Sequence, residues 1–317
     1  MRFVLFSVLC LLLPLPVSAA GDGTAASGGL DALALARAEA DSRPEDAAAW
    51  LALSCAQLAA GLSDEAVDSA RRAAARSPRW MAPHLALAEA YRARIPDSGR
   101  YRQLILARQI RESLEAAVAL ESLGAEAHLA LMRFHLRAPA LVGGSRRTAA
   151  NLLETIVERD PIRGMLAQGL LALETGDPAA ALGHLRRAEA RVPRAGALRR
   201  QVVATLGDVL VGQRDWSAAQ RLYERSVTID PGFAEAWFGL GSIAAETGER
   251  LDAGAEALRR FLELPDRAGL PGPEQAHFRL GQIYAHMAHA ERARDQFRMA
   301  LAIDPDLGEA RDALESL

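Results

Sequence analysis

The chain has 317 residues and a net charge of −3, too little of either sign to mark nucleic acid or an anionic membrane as its partner. All 37 of its basic residues are arginine, which excludes chemistry that depends on lysine. Aromatic residues make up only 5% and alanine is abundant, a composition suited to close-packed helices built on small side chains.

Arg2, the apolar run Phe3–Leu13 (broken only by Ser7), Pro14, Pro16 and the small residues Val17-Ser18-Ala19 have the layout of a secretory signal peptide over residues 1–19. A flexible segment, 20–29, is expected to follow. The run is too short to span a membrane, and no later stretch approaches the roughly 18 apolar residues a span needs. The mature chain is therefore expected to be exported, periplasmic and not membrane-spanning. Leu9 precedes Cys10 where a lipidation site needs a small residue, so no lipid anchor is expected. Loss of the leader leaves Cys55 alone, which excludes an internal disulfide.

From residue 30 the chain repeats itself about every 34 residues. Leu30–Asp41 reads as one helix, a partial cap. Trp50, Leu53, Ala66 and Pro78 mark a first helix pair at 47–80, with helices at Ala47–Ala60 and up to Arg76, a turn at Gly61-Leu62 and Ser63 as N-cap. His84, Leu87, Ala88 and Tyr91 open a second (81–124), in which an insert, Arg94–Tyr101, precedes a helix Leu104–Leu120. His128, Leu131 and His135 open a third (125–161), with an insert Ala138–Ser145 before a helix Arg146–Arg159. Further pairs are expected at 162–195, 200–233, 234–266 and 274–307. Their markers are Gly169 and Ala181; Gly207, Ala219 and Tyr223; Trp237, Leu240 and Gly241; and His277, Leu280, Gly281, Tyr284, Ala293, Phe297 and Pro305. A Pro/Gly-rich linker covers Pro265–Pro273, and Leu307–Leu317 reads as a closing helix. No single pair buries enough apolar surface to be stable; stacking supplies the core.

This pattern resembles the tetratricopeptide-repeat superfamily over residues 30–317. The resemblance implies an all-α, right-handed superhelical solenoid of stacked antiparallel helix pairs. The middle, with Leu106-Ala107-Arg108, Leu114–Val118, Ala138-Pro139, Val142–Ser145 and Ala149, is similar to a group of exported bacterial tetratricopeptide proteins. A related element occurs in periplasmic components of TRAP-type transporters, whose lipobox cysteine this chain lacks. The resemblance also implies which residues face the concave groove. They are Leu51 and Cys55, Leu85 and Glu89, Leu129, Arg133 and Arg137, Leu166 and Leu170, then Asp208, Phe238, Ser242, Phe278 and Gln282. That groove is apolar with isolated arginines in its first four repeats and more polar after Asp208. The carboxylate clamp of chaperone co-factors is absent, because it needs lysine and this chain has only one asparagine, Asn151.

Other motifs have a bland reading beside a functional one. Gly143, Gly144 and Ser145, opening a helix next to Arg146 and Arg147, have the ingredients of an anion site or simply of a capped turn. Arg92, Arg94, Arg100, Arg102, Arg108 and Arg111 form either a basic docking patch or a face paired with Glu112 and Glu115. His286 and His289, three apart on one helix, have the spacing to share a metal, but Glu291 points to another face, no cysteine completes a site, and His277 occupies a packing position. No catalytic constellation, nucleotide loop or cofactor motif is present. The expected function is a non-catalytic envelope scaffold binding a protein or peptide in its groove. Self-association is compatible with this, and a carrier of a small acid held near Arg133, Arg137 and the Gly143-Gly144 turn, or a transporter-associated component, is the alternative.

Overall fold

In the computed structural model, residues 28–121, 123–264 and 270–317 are described. The leader, the start of the segment after it and most of the Pro/Gly linker lie outside the described residues. Sixteen α-helices and no strand occur among the described residues. The described residues divide into two compact units, one running to Val192 and the other beginning at Pro193. The first holds α1 (Gly28–Ser42), α2 (Ala47–Ala59), α3 (Ser63–Arg76), α4 (Met81–Ala93), α5 (Arg100–Leu120), α6 (Glu126–Arg137), a 3-10 turn at Ala140–Val142, α7 (Arg146–Arg159), α8 (Pro161–Glu174) and α9 (Pro178–Arg191). The second holds α10 (Ala197–Gly212), α11 (Trp216–Ile229), α12 (Ala234–Thr247), α13 (Leu251–Glu263), α14 (Pro273–His286), α15 (Ala290–Ile303) and α16 (Gly308–Glu315). Within each unit, consecutive helices pack on one another as hairpins.

The turn inside a hairpin has a recurring design. Gly61, Gly176, Arg214 and Ala288 adopt left-handed backbone, with φ of 76°, 79°, 57° and 58°. The next residue donates its N–H five residues back: Leu62 to Gln57, Asp177 to Ala172, Asp215 to Leu210 and His289 to Tyr284, all at 2.8–2.9 Å. These bonds satisfy the carbonyls a helix end leaves open. Asp177 and Asp215 then cap the following helix by accepting from Ala180 N and Ala218 N. Arg214 and Ala288 hold a conformation that only glycine adopts without steric cost. Ala288→Gly is therefore expected to raise stability by about 1 kcal/mol in a urea titration; an unchanged or lower midpoint would show that the turn carries no strain.

Two expected boundaries shift. Ser63 is the first residue of α3 rather than its cap; Leu62 holds the cap position and no side chain caps it. Helix α5 starts at Arg100, four residues before the expected Leu104, so the insert of the second repeat shortens to 94–99. The polar Arg100–Gln103 stretch has no apolar period, yet nothing in it opposes helix.

Contacts recur between repeats as well. The indole N–H of Trp50 donates to the Pro44 carbonyl at 2.8 Å, and that of Trp237 to the Pro231 carbonyl at 2.9 Å. Arg311 in α16 makes the equivalent bond to Pro305. Arg71 of α3 donates to the Tyr91 hydroxyl of α4, and Arg259 of α13 to the Tyr284 hydroxyl of α14, each tying one hairpin to the next. The Tyr284 bond is also the main reason the Arg259 guanidinium titrates above its usual value.

The crossing of each hairpin is matched in volume. A Cβ on Gly169, Gly207, Gly241 or Gly281 would fall 2.8, 2.1, 2.2 or 2.4 Å from Leu185, Tyr223, Leu258 or Phe297 respectively, all of them buried. Tyr223 also packs against Gly239, so two glycines from α10 and α12 form its slot. Burial there pushes its phenol well above the ordinary range, with the Asp208 and Glu235 charges adding to the effect. In the first three repeats, Ser54, Ala88 and Met132 stand where the later ones have glycine. Ser54 instead donates its hydroxyl to the Ala66 carbonyl across the crossing.

Candidate functional site

In the first unit the residues assigned to the groove lie on α2, α4, α6 and α8. Leu51, Leu85, Leu129, Leu166 and Leu170 are all buried, so they do not form an open apolar lining; Cys55 is half-buried. Helix α6 is enclosed on every side, with each residue from Ala127 to Leu136 buried. Its charged members are therefore costly. Arg133 is 4% exposed and Glu89 6%. Glu89 is held by Arg92 through a bidentate pair, and Arg137 approaches Glu174 at 3.9 Å. Burial, followed by the neighbouring Arg137 charge, pushes the Arg133 guanidinium down to about 9 against the pull of Glu89. Three guanidiniums and two carboxylates thus converge on the inner side of α4, α6 and α8.

A second buried ionic group was not signalled by any motif. The Glu121 carboxylate accepts from the backbone N–H groups of Glu126, Ala127 and His128 at 2.6, 3.1 and 3.3 Å, and meets His128 Nδ1 at 2.5 Å. It caps α6 from outside the helix. Close by, burial and the Glu121 charge raise the Glu126 carboxyl, and Arg163 opposes the shift.

Gly143, Gly144 and Ser145 do not offer an anion cradle. Their N–H groups donate to the Ala140, Pro139 and His135 carbonyls at 3.0–3.1 Å, so the expected site is a closed turn. Ser145 caps α7 by accepting from Thr148 N. Gly143 is left-handed with φ of 98°, and a Cβ on Gly144 would lie 1.7 Å from the Ala138 carbonyl oxygen. The glycines are there for close approach. His135 joins the turn through Nδ1 and the Gly143 carbonyl, and burial lowers its tendency to protonate.

In the second unit α10, α12 and α14 lie side by side. Asp208 is exposed; Phe238, Ser242 and Gln282 are half-exposed; Phe278 is buried. Arg279 donates to Gln282 Oε1 at 3.0 Å and lies 3.9 Å from Glu246, one turn beyond Ser242. The Ser242 hydroxyl oxygen and Arg279 Nε are buried and lack a hydrogen-bond partner among the described residues. This face combines a partly open aromatic with polar side chains, a surface chemistry that suits an extended peptide segment.

A separate cavity of about 270 Å³ lies among α11, α12 and α13, lined by Trp216, Trp237, Glu224 and Arg250, the last two paired at 2.5 Å. The three histidines have separate partners: His277 the Gln296 amide, His286 the Ala245 carbonyl, and His289 the Tyr284 ring. Among the described residues no three His, Cys, Asp or Glu side chains converge as metal ligands. No described helix is long and apolar enough to cross a membrane.

The tetratricopeptide-repeat profiles match residues 140–196 and 205–268 in one form and 274–307 in another. No curated protein sequence matches the chain. Among solved structures, yeast Tom70 is similar with a TM-score of 0.57 at 16% identity, over 90% of this chain and 57% of its own. A chain of the APC/C hetero-tetramer Cut9–Hcn1 is similar at 0.55 and 16%, over 92% of this chain and 52% of its own. PilF of Pseudomonas aeruginosa is similar at 0.50 and 16%, over 72% and 98%. The chain thus spans little more than half the length of the first two, and at such identity the likeness bears on fold alone. Proteins of this fold typically act as non-catalytic protein-interaction scaffolds. From its hairpin turns, its crossing glycines and these matches, the chain carries tetratricopeptide repeats and has their all-helical architecture.

Proposed function

We propose that the protein is a non-catalytic adaptor of the bacterial cell envelope that holds an extended segment of a partner protein. The observation that supports this best is the face of α10, α12 and α14. There, half-exposed Phe238, Ser242 and Gln282 and exposed Asp208 lie on adjacent helices. The leader-like residues 1–19 support the envelope location.

Site-specific photo-crosslinking in cells tests the reading. A crosslinker at Ser242 or Gln282 should give one discrete adduct from a periplasmic fraction, and Ser242→Arg should reduce the Gln282 adduct at least about tenfold, a loss of the size expected for a central contact. A crosslinker at Arg298, exposed on α15, should give none. Equal adducts from all three positions would sink the groove assignment, and recovery with the cytoplasm would sink the location.

A second reading rests on the cluster of Glu89, Arg92, Arg133, Arg137 and Glu174, of which Glu89 and Arg133 are buried and the others half-buried. Its excess of guanidinium suits a small carboxylic acid. A carrier role would show as a stoichiometric extra mass in native mass spectrometry, lost on Arg133→Met.

A further inference from the structure

The arginines around the insert after α4 fall into two sets. Arg92 holds Glu89, Arg94 pairs with Asp64 at 2.5 Å, and Arg111 approaches Glu115 at 3.6 Å. Arg100, Arg102 and Arg108 are exposed, and none of them forms an ion pair with a described residue. The outer three therefore do not belong to a self-paired face.

These three sit on an overhang. Helix α5 has 21 residues and its hairpin partner α4 has 13, so at 1.5 Å per residue α5 is about 12 Å longer. The excess lies at its N-terminal end, where no residue from Arg100 to Ile105 is buried and Leu106 is the first that is. The overhang is held in place: Gln103 donates to the Ile95 and Ser98 carbonyls at 3.2 and 2.9 Å, and buried Ile95 anchors the loop. Its apolar side chains face solvent, with Tyr101 79%, Leu104 37% and Ile105 41% exposed. Leu104 and Ile105 lie three and four residues after Tyr101 and four and three before Arg108, which puts them on one strip of the helix. Asp97 and Glu112 bound the patch on either side. A total charge of −3 conceals it, because the chain's charges are unevenly distributed.

We propose that the overhang of α5 docks the protein on an anionic lipid surface. The patch is the exposed end of a helix rather than a groove, so it fits a broad deformable surface better than a folded protein segment. Tyrosine and branched aliphatic side chains settle at the headgroup boundary, and guanidiniums reach the phosphates beside them. Each arginine near such a surface strengthens binding about fivefold. An acidic protein partner would need a matching concavity and fixed carboxylates, which a lipid interface does not.

The test is co-sedimentation of the full chain with vesicles of phosphatidylglycerol mixed with phosphatidylcholine, and with phosphatidylcholine alone. The latter reports any binding through the apolar stretch Phe3–Leu13. We expect a preference for the phosphatidylglycerol vesicles that fades as salt is raised. It should fall about a hundredfold in R100Q/R102Q/R108Q, by the same per-arginine factor, and fall also in Y101D/I105D. Because these side chains are exposed, the circular dichroism of both variants should match the parent. A triple variant that sediments like the parent overturns the proposal. So does a parent with no preference for phosphatidylglycerol, which would leave the patch to an acidic protein. Should a variant lose helicity, the lipid preference of the parent and its salt dependence decide the matter alone.

Discussion

Gly241→Ala is expected to destabilise the protein on its own and to stabilise it when Leu258 is also replaced by alanine. The added methyl group would sit 2.2 Å from Leu258 Cγ in the α12–α13 crossing, and Leu258 is fully buried. Overpacking of this kind costs about 1–3 kcal/mol. Leu258→Ala alone leaves a cavity and costs about 2–5 kcal/mol. In the double variant the methyl group added by Gly241→Ala occupies part of that cavity, and α12 gains the roughly 1 kcal/mol by which alanine exceeds glycine in a helix. The sign of the Gly241→Ala effect should therefore reverse between backgrounds. A thermodynamic cycle from urea unfolding measures this directly; additive values would show that the crossing relaxes and that volume matching does not set the helix spacing.

Glu121→Ala is expected to cost about 3 kcal/mol or more, a large effect for a residue outside any helix. The carboxylate satisfies three backbone N–H groups at the start of α6 and the His128 ring. A buried donor left without a partner costs about 1–3 kcal/mol each, and α6 is enclosed, so water does not substitute easily. The Arg159 guanidinium, bonded to the Glu121 carbonyl at 3.2 Å, would keep the backbone in place and make the loss specific to the side chain. Glu121→Gln keeps one acceptor oxygen and should recover part of the loss. Amide exchange provides the local readout: Ala127 and His128 N–H should exchange much faster in Glu121→Ala. Unchanged protection would mean that the cap does not hold the start of α6.

The helical repeat was legible because its markers are imposed by packing. Trp50 and Trp237 repeat because an indole bridges to a proline carbonyl, and Gly169, Gly207, Gly241 and Gly281 repeat because a large side chain faces each of them. The state of the groove was less legible. A leucine facing inward has the same letter and spacing whether the groove is open, as beside Phe238, or closed, as around Leu129 and Leu170. Spacing did not reveal the Glu121 cap, because its carboxylate reaches forward to a helix that starts five residues on, through a loop conformation no local pattern encodes. The Val142–Ser145 motif was visible, but its glycines admit both a cradle and a tight turn. Only the bonds of their N–H groups to Ala140, Pro139 and His135 decide between them.

The closing helix α16 bears on assembly. Its inner side, with buried Ala310 and half-buried Leu314, covers the apolar face of α15, and its outer side carries Glu309, Arg311, Asp312 and Glu315. A bare hairpin face of this kind is a growing end: whatever accepts one more hairpin from the same chain accepts one from another molecule, and such a head-to-tail contact has no symmetry that closes it. Charge on the far side of α16 makes that addition unfavourable. In polymer terms α16 acts as a chain stopper on α15: a bare α15 face would favour open-ended, head-to-tail growth.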